Sequence, residues 1–455
     1  MVLLMICLFV LGYVAIATEH QIRVNKAATA LILCSLLWTI YIFYAPQLPS
    51  PLGANNFKTT EYVTHRELIE CVGEVAEILF FLMGAMTIVE LIDVHGGFNI
   101  ITRRITTKNK KGLLFILTGI TFIMSAVLDN LTTTIVIVML LRKLVRDKKE
   151  RWYYAAVVIL GANAGGAFSP IGDVTTIMLW VQGNVTTGNL IPQLILPSLA
   201  AVLVPVLVMS RKLSGALDNS CEDVKMEMKE PTAADMITTR ERNIIFYLGI
   251  GALIFVPIFK SITHLPPYMG VFLGLGILWV YTELMYHQKG ETIEEDKKAR
   301  IQNVVKRIDM TTILFFFGIL MAVNALSCAG ILQDLGEMLK EQFDSIYVIN
   351  IIIGFLSSIV DNVPLVAGAM KMYAIDATSA AYQVDGAFWL FLAYCAGVGG
   401  SILIVGSAAG VVVMGLEKVT FGWYLKNVSL VAMLGYLAGA LIFIIQDMFI
   451  LQALN

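Results

Sequence analysis

Asp129-Asn130 and Asp361-Asn362 each set a carboxylate beside a carboxamide within an otherwise apolar stretch. Ser125-Ala126-Val127-Leu128 leads into the first pair and Leu131-Thr132-Thr133-Thr134 follows it; Ser357-Ser358-Ile359-Val360 and Val363-Pro364 flank the second. A carboxylate at membrane depth costs roughly 2.5–3.5 kcal/mol on insertion scales and is kept for function. Its chemistry is that of a hard oxygen ligand, which takes up a small cation or a proton. The amide beside it can add a carbonyl ligand or cap the half-helix that follows. The pairs lie 232 residues apart in a chain of 455, which predicts a structure built twice.

A third acid sits in the run from Gly161 to Thr176, which holds Asn163, Ser169, Asp173 and Thr175 among four glycines and Pro170. Such a run cannot be a regular helix throughout. Its counterpart, Gly397 to Gly410, carries Ser401 and Ser407 and is weakened in the same way. Carbonyls freed at a break, with hydroxyls and a carboxylate, suit a small cation; close helix packing through small residues is the competing explanation. Asp129, Asp173 and Asp361 fall at or beside breaks, with no Lys or Arg expected at their depth. Burial without a counter-ion favours the neutral acid, so a cation and a proton compete for each, the elementary step of antiport. Glu77 lies mid-helix, and Glu74 and Glu70 share its face, about one and two turns nearer the outside. That face lines a cation route, or else Glu70 and Glu74 are merely solvated. Glu90 and Glu417, nearer the cytoplasm, are weaker candidates. Thr132, Thr133 and Thr134 can ligate or back-bond to their own helix. Ser407 stands near the place that Asp173 holds in the first half.

Positioning these groups requires membrane-spanning helices. The chain is 58% hydrophobic and 15% charged, with a mean hydropathy of +0.78, so it reads as an all-α polytopic membrane protein. The six cysteines show no CxxC spacing and read as small core residues, and His95 before Gly96-Gly97 reads as a helix cap. Residues 2–14 followed by Ala15-Ile16-Ala17 resemble a signal segment, but no basic stretch precedes them, and they are read as a first helix.

Ten apolar segments are expected to cross: 2–17, 26–45, 69–92, 152–182, 190–209, 243–259, 268–286, 311–332, 387–416 and 427–447. Segments 112–146 and 346–373, interrupted at the Asp-Asn pairs, read as re-entrant hairpins, although ordinary helix pairs also fit their hydropathy. Of the 32 Lys and Arg residues, 23 fall in the clusters 103–111, 142–151, 211–242 and 289–307. A re-entrant 112–146 puts all four on one side, and the positive-inside rule makes that side the cytoplasm. Five crossings per half then imply two inverted repeats, residues 1–210 and 243–455, joined by a cytoplasmic linker at 211–242, with both termini outside. Two further matches support duplication. Ile78-Leu79-Phe80-Phe81 corresponds to Ile313-Leu314-Phe315-Phe316 at an offset of 235. Gly165-Gly166 with Gly172 corresponds to Gly399-Gly400 with Gly406 at 234.

Ser125–Thr134, Asn163–Trp180 and Gly399–Gly410 closely resemble the NhaD family of sodium/proton antiporters, a branch of the ion transporter superfamily, from about residue 60 onward. The resemblance implies a bacterial-type inner-membrane homodimer that exchanges Na⁺, often also Li⁺, for H⁺ by an elevator-like motion. It implies that Asp129, Asn130, Asp173, Thr175, Asp361, Asn362 and Ser407 surround the ion and that Glu77 is the family's membrane-embedded glutamate. Thr132, Thr133, Asn163, Ser169, Ser401 and Glu74 are secondary candidates. No cofactor, nucleic-acid partner or enzymatic constellation is expected. The rival readings are a dicarboxylate or citrate carrier, which Asp at both breaks would disfavour, an arsenite permease, and a channel.

Overall fold

The computed structural model describes residues 1–48, 57–102, 105, 107, 109–213, 215, 237–289, 301–343 and 345–454. Most of the expected 211–242 linker, with Cys221, and residues 290–300 lie outside the described residues. The described chain is helical, with no strand. The principal helices are α1 Val2–Ala17, α2 Lys26–Tyr44, α3 Leu68–Val94, α4 Lys110–Leu128, α5 Asn130–Leu144, α6 Lys148–Ala167, α7 Val174–Val181, α8 Thr187–Ser210 and α9 Thr239–Thr263. They continue as α10 Pro267–Gln288, α11 Met310–Cys328, α12 Ile331–Gln342, α13 Ile346–Ser357, α14 Asn362–Met372, α15 Ala387–Gly399, α16 Ala408–Glu417 and α17 Leu430–Leu454.

Eight helical segments among the described residues are long and apolar enough to cross a membrane. α4 is one of them: its 19 residues exceed a half-depth arm, whereas α13 and α14, of 12 and 11 residues, have the expected half-length. The interruptions fall where the sequence places them, and each starts the next helix with a polar cap. Asp129 accepts from Thr132 N, Asp173 from Thr175 N, Asp361 from Val363 N and Ser407 from Gly410 N. An N-cap of this kind contributes about 1 kcal/mol by satisfying a donor that hydrocarbon cannot.

Packing repeats between the halves. α1 lies against α2 as α9 lies against α10; α2 packs on α11 as α10 packs on α3; α4 and α5 pack on α6 as α13 and α14 pack on α15; α6 meets α8 as α15 meets α17. Helices α8 and α17 pack together extensively. The matching glycines have matching reasons. A Cβ on Gly165 would stand 2.2 Å from the Phe122 carbonyl oxygen, and one on Gly399 would stand 2.2 Å from that of Gly354. Each glycine thus lets the broken helix touch the backbone of its hairpin's first arm. Ser125 donates to Ala162 O at 2.5 Å and Ser357 to Ala396 O at 2.7 Å, a second bond shared by both hairpins. Small residues here do serve close packing, alongside the polar groups described next.

His95 caps α3, with Nδ1 at 2.7 Å from Leu91 O and Nε2 at 2.9 Å from Tyr286 OH. The five described cysteines are free thiols; Cys71 and Cys328 stand 3.9 Å apart, Sγ to Sγ.

Candidate functional site

The breaks bring four helix starts together, those of α5, α7, α14 and α16, and one hydrogen-bonded network joins them. Asp173, at 1% exposure, is its centre. Its Oδ2 accepts from Asn130 Nδ2 at 2.8 Å, and both carboxylate oxygens lie 3.4 Å from Asn362 Nδ2. Oδ1 also accepts from the backbone N and Oγ1 of Thr175, each at 3.0 Å. Asn163 extends the network: its Oδ1 accepts from Asn130 Nδ2 at 3.2 Å, and its Nδ2 donates to Ser401 Oγ at 2.9 Å and Ser407 Oγ at 2.8 Å. Both hairpin tips and both broken helices therefore contribute, and each of these residues is buried.

The electrostatics are distinctive. Helix N-termini carry partial positive charge and commonly hold anions. Here the anion belongs to the protein. Asp173 accepts hydrogen bonds from the surrounding amides and hydroxyl. A buried carboxylate is a group that can take a proton or a small monovalent cation, and the carboxamides and hydroxyls around it carry oxygens able to serve as further ligands.

The structure separates the sequence candidates. Asp173, Asn130, Asn362, Thr175, Asn163, Ser401 and Ser407 meet in the network. Asp129 and Asp361 do not enter it, although each interacts electrostatically with Asp173. Asp129 is turned into its own helix, accepting from Thr132 N at 2.8 Å and Thr132 Oγ1 at 2.9 Å. Its φ of 84° is a conformation in which a non-glycine residue is strained. Among the described residues no three His, Cys, Asp or Glu side chains converge, so the three aspartates do not form one cluster. Ser169 donates to Ala126 O at 2.5 Å, a packing role. Thr134 back-bonds to Asn130 O at 2.7 Å. The Thr133 hydroxyl is buried without a hydrogen-bond partner among the described residues, so it can accept a ligand.

The expectation that no Lys or Arg stands beside Asp129, Asp173 or Asp361 needs correction at Asp361. Lys26 Nζ lies 3.2 Å from Asp361 Oδ2. Lys26 is the first residue of α2, capped by Asn25. Glu74 pairs with Lys371 at 2.7 Å, Glu70 with Arg66 at 3.3 Å and Glu90 with Arg307 at 3.5 Å. Glu417, with its side chain fully enclosed, binds Arg142 at 2.7 Å and Arg151 at 2.5 Å. Glu77 stays outside the network, half-buried on α3, and interacts electrostatically with Lys260. Lys260 itself donates to Trp180 O and lies 4.5 Å from the Trp180 ring centroid.

Sequence reasoning also missed a cavity of about 180 Å³ between α3, α7, α11 and α14, lined by Glu74, Met178, Gln182, Asn184, Asn324 and Lys371. Met178 belongs to the short helix that begins at Asp173, so the cavity lies alongside the element carrying the central acid. The signal available in the sequence was Asn324, a carboxamide inside an apolar helix.

Residues 13–389 match the family model described as citrate transporter, CitMHS. Sodium/proton antiporter 1 of Arabidopsis thaliana is 42% identical over 96% of this chain and 71% of its own length; sodium/proton antiporter 2 of the same plant is 40% identical over 97% and 98%. The Na⁺/H⁺ antiporter NhaD of Vibrio cholerae is 29% identical over 97% of this chain and 91% of its own. Among solved structures, the YdaH transporter of Alcanivorax borkumensis shares the fold, with a TM-score of 0.60 at 11% identity over 93% of this chain and 98% of that one. The family match begins at residue 13, so the similarity is not confined to the chain beyond residue 60.

Proposed function

We propose, for a chain that belongs to the citrate transporter (CitMHS) family and within it to the NhaD-type sodium/proton antiporters, that it exchanges Na⁺ for H⁺ across a membrane with Asp173 as the shared ligand. The observation carrying this reading is one deeply buried carboxylate at the junction of four helix starts, held by neutral amides and hydroxyls. Na⁺ and H⁺ exclude one another there, because protonation removes the negative oxygen that the metal ion needs. Asn130, Asn362 and Thr175 orient the carboxylate. Asp129 and Asp361 supply negative field from the two hairpin tips. Alternating access follows from two opposite-facing repeats in which the hairpins and broken helices move together past α3 and α11, an elevator-like motion in an inner-membrane homodimer with both termini outside.

A citrate-type carrier is the second reading, favoured by the converging helix starts. Asp173 opposes it, since a substrate carboxylate in the same place would meet a like charge. The two separate in proteoliposomes loaded with a pH-sensitive dye. Wild type is expected to respond to Na⁺ or Li⁺ and not to citrate, with an apparent KM for Na⁺ that rises as pH falls. Asp173→Asn is expected to abolish the response. A wild-type response to citrate alone would overturn the cation reading, and full exchange by Asp173→Asn would overturn the site.

A further inference from the structure

Lys26 is the one ammonium within salt-bridge distance of a hairpin-tip acid among the described residues. It reaches that acid from another helix. The bridge to Asp361 is 3.2 Å long, with the lysine and aspartate side chains 31% and 19% exposed. Around it, the Tyr13 hydroxyl lies 3.5 Å from Asp361 O, and the Phe315 ring centroid lies 4.3 Å from the ammonium. The first hairpin has no such partner: Asp129 is satisfied by Thr132 of its own helix.

We infer that Lys26 is a tethered substitute cation for Asp361, which leaves when Na⁺ enters and so both sets Na⁺ affinity and releases the second hairpin from α2. This rests on the cation reading of the site. Na⁺ held at Asp173 adds a positive charge that Asp361 also feels, because the two carboxylates interact electrostatically, and so weakens the attraction between Asp361 and the ammonium. The lysine has somewhere to go: the Phe315 face already holds it on one side, and its partial exposure gives it water on another. The Phe315 ring holds Lys26 near Asp361 without neutralising it. This geometry suits an exchangeable partner better than a permanent one. α2 packs on α11 and α1, so breaking the bridge removes a direct tie between the second hairpin and that group of helices. Lys26 is thus a positioning residue that makes hairpin release depend on ion entry.

Two measurements test this on the full chain. In proteoliposomes, Lys26→Met is expected to lower the Na⁺ KM about two- to fivefold, the worth of a partly exposed ion pair, while Lys26→Arg keeps the wild-type KM. In an Asp361→Asn background, Lys26→Met is expected to add nothing. An unchanged or raised KM in Lys26→Met would overturn the inference. For the event that this variant does not fold, wild-type protein is acylated with a water-soluble succinimidyl ester and Lys26 labelling is read by mass spectrometry. Labelling is expected to rise with NaCl and not with choline chloride; labelling indifferent to Na⁺ would overturn the inference. A wild type without Na⁺ or Li⁺ exchange would remove the ion reading along with it, whereas exchange with an inert Lys26 would remove this inference alone.

Discussion

The two hairpins carry the same Asp-Asn pair and use it differently. At the first tip, Asp129 adopts φ 84° and folds back on Thr132. At the second, Asp361 has an ordinary φ of −52°, caps α14 through a 3.3 Å bond from Val363 N, and reaches across to Lys26. The asparagines behave alike: Asn130 and Asn362 both donate to Asp173. The amide that touches the central acid is therefore common to both tips, while the aspartate beside it is self-contained at one tip and an inter-helix tie at the other. The return arms differ in the same sense. Arg142 at the end of α5 meets the enclosed Glu417, and Lys371 at the end of α14 meets the half-exposed Glu74.

The largest expected effect separates those return arms. Glu417→Gln leaves Arg142 and Arg151 without their shared carboxylate and is expected to cost about 3–5 kcal/mol, as for a broken buried pair. Glu74→Gln is expected to cost no more than about 1 kcal/mol, as for an exposed one. Unfolding midpoints of purified protein in one detergent would show the gap; equal losses would break the comparison.

Next come the asparagines. A hydrogen bond to a charged group contributes roughly 1.5–3 kcal/mol, so Asn130→Ala, which loses the 2.8 Å bond, is expected to reduce exchange by about one to two orders of magnitude. Asn362→Ala, at 3.4 Å, is expected to lose less. Initial rates of dye dequenching measure both, and a larger loss at Asn362 would reverse the ranking of the two tips.

The smallest effect concerns the aspartates. Asn caps helices about as well as Asp and tolerates positive φ, so Asp129→Asn is expected to unfold within about 0.5 kcal/mol of wild type. Asp361→Asn loses the Lys26 bridge and up to about 1 kcal/mol. Thermal unfolding reads these values. Should Asp129→Asn unfold like wild type yet stop exchange, Asp129 would be acting on the ion directly, and the two tips would be more alike than their geometry indicates.

Much of this was legible in the chain. The capping acids, the glycine matches and the hairpin interruptions are local, because a helix in hydrocarbon can break only where side chains satisfy the freed donors. Asp173 and Asn163 were visible as polar groups in a run too rich in glycine to stay helical. The helix depth of Lys26 was not: at the edge of an apolar segment it reads as an interfacial charge, and only the fold brings it to a partner 335 residues away. Glu417 was hidden similarly, since its cost of burial is met by arginines from α5 and α6. The sequence by itself determined an all-helical membrane protein with acids at its helix breaks, since hydropathy, capping and glycine placement act over a few residues. Tertiary structure alone decided which acid stands at the centre and which is tied by a lysine. Those choices depend on which charges meet across helices, and one-dimensional spacing carries no record of that.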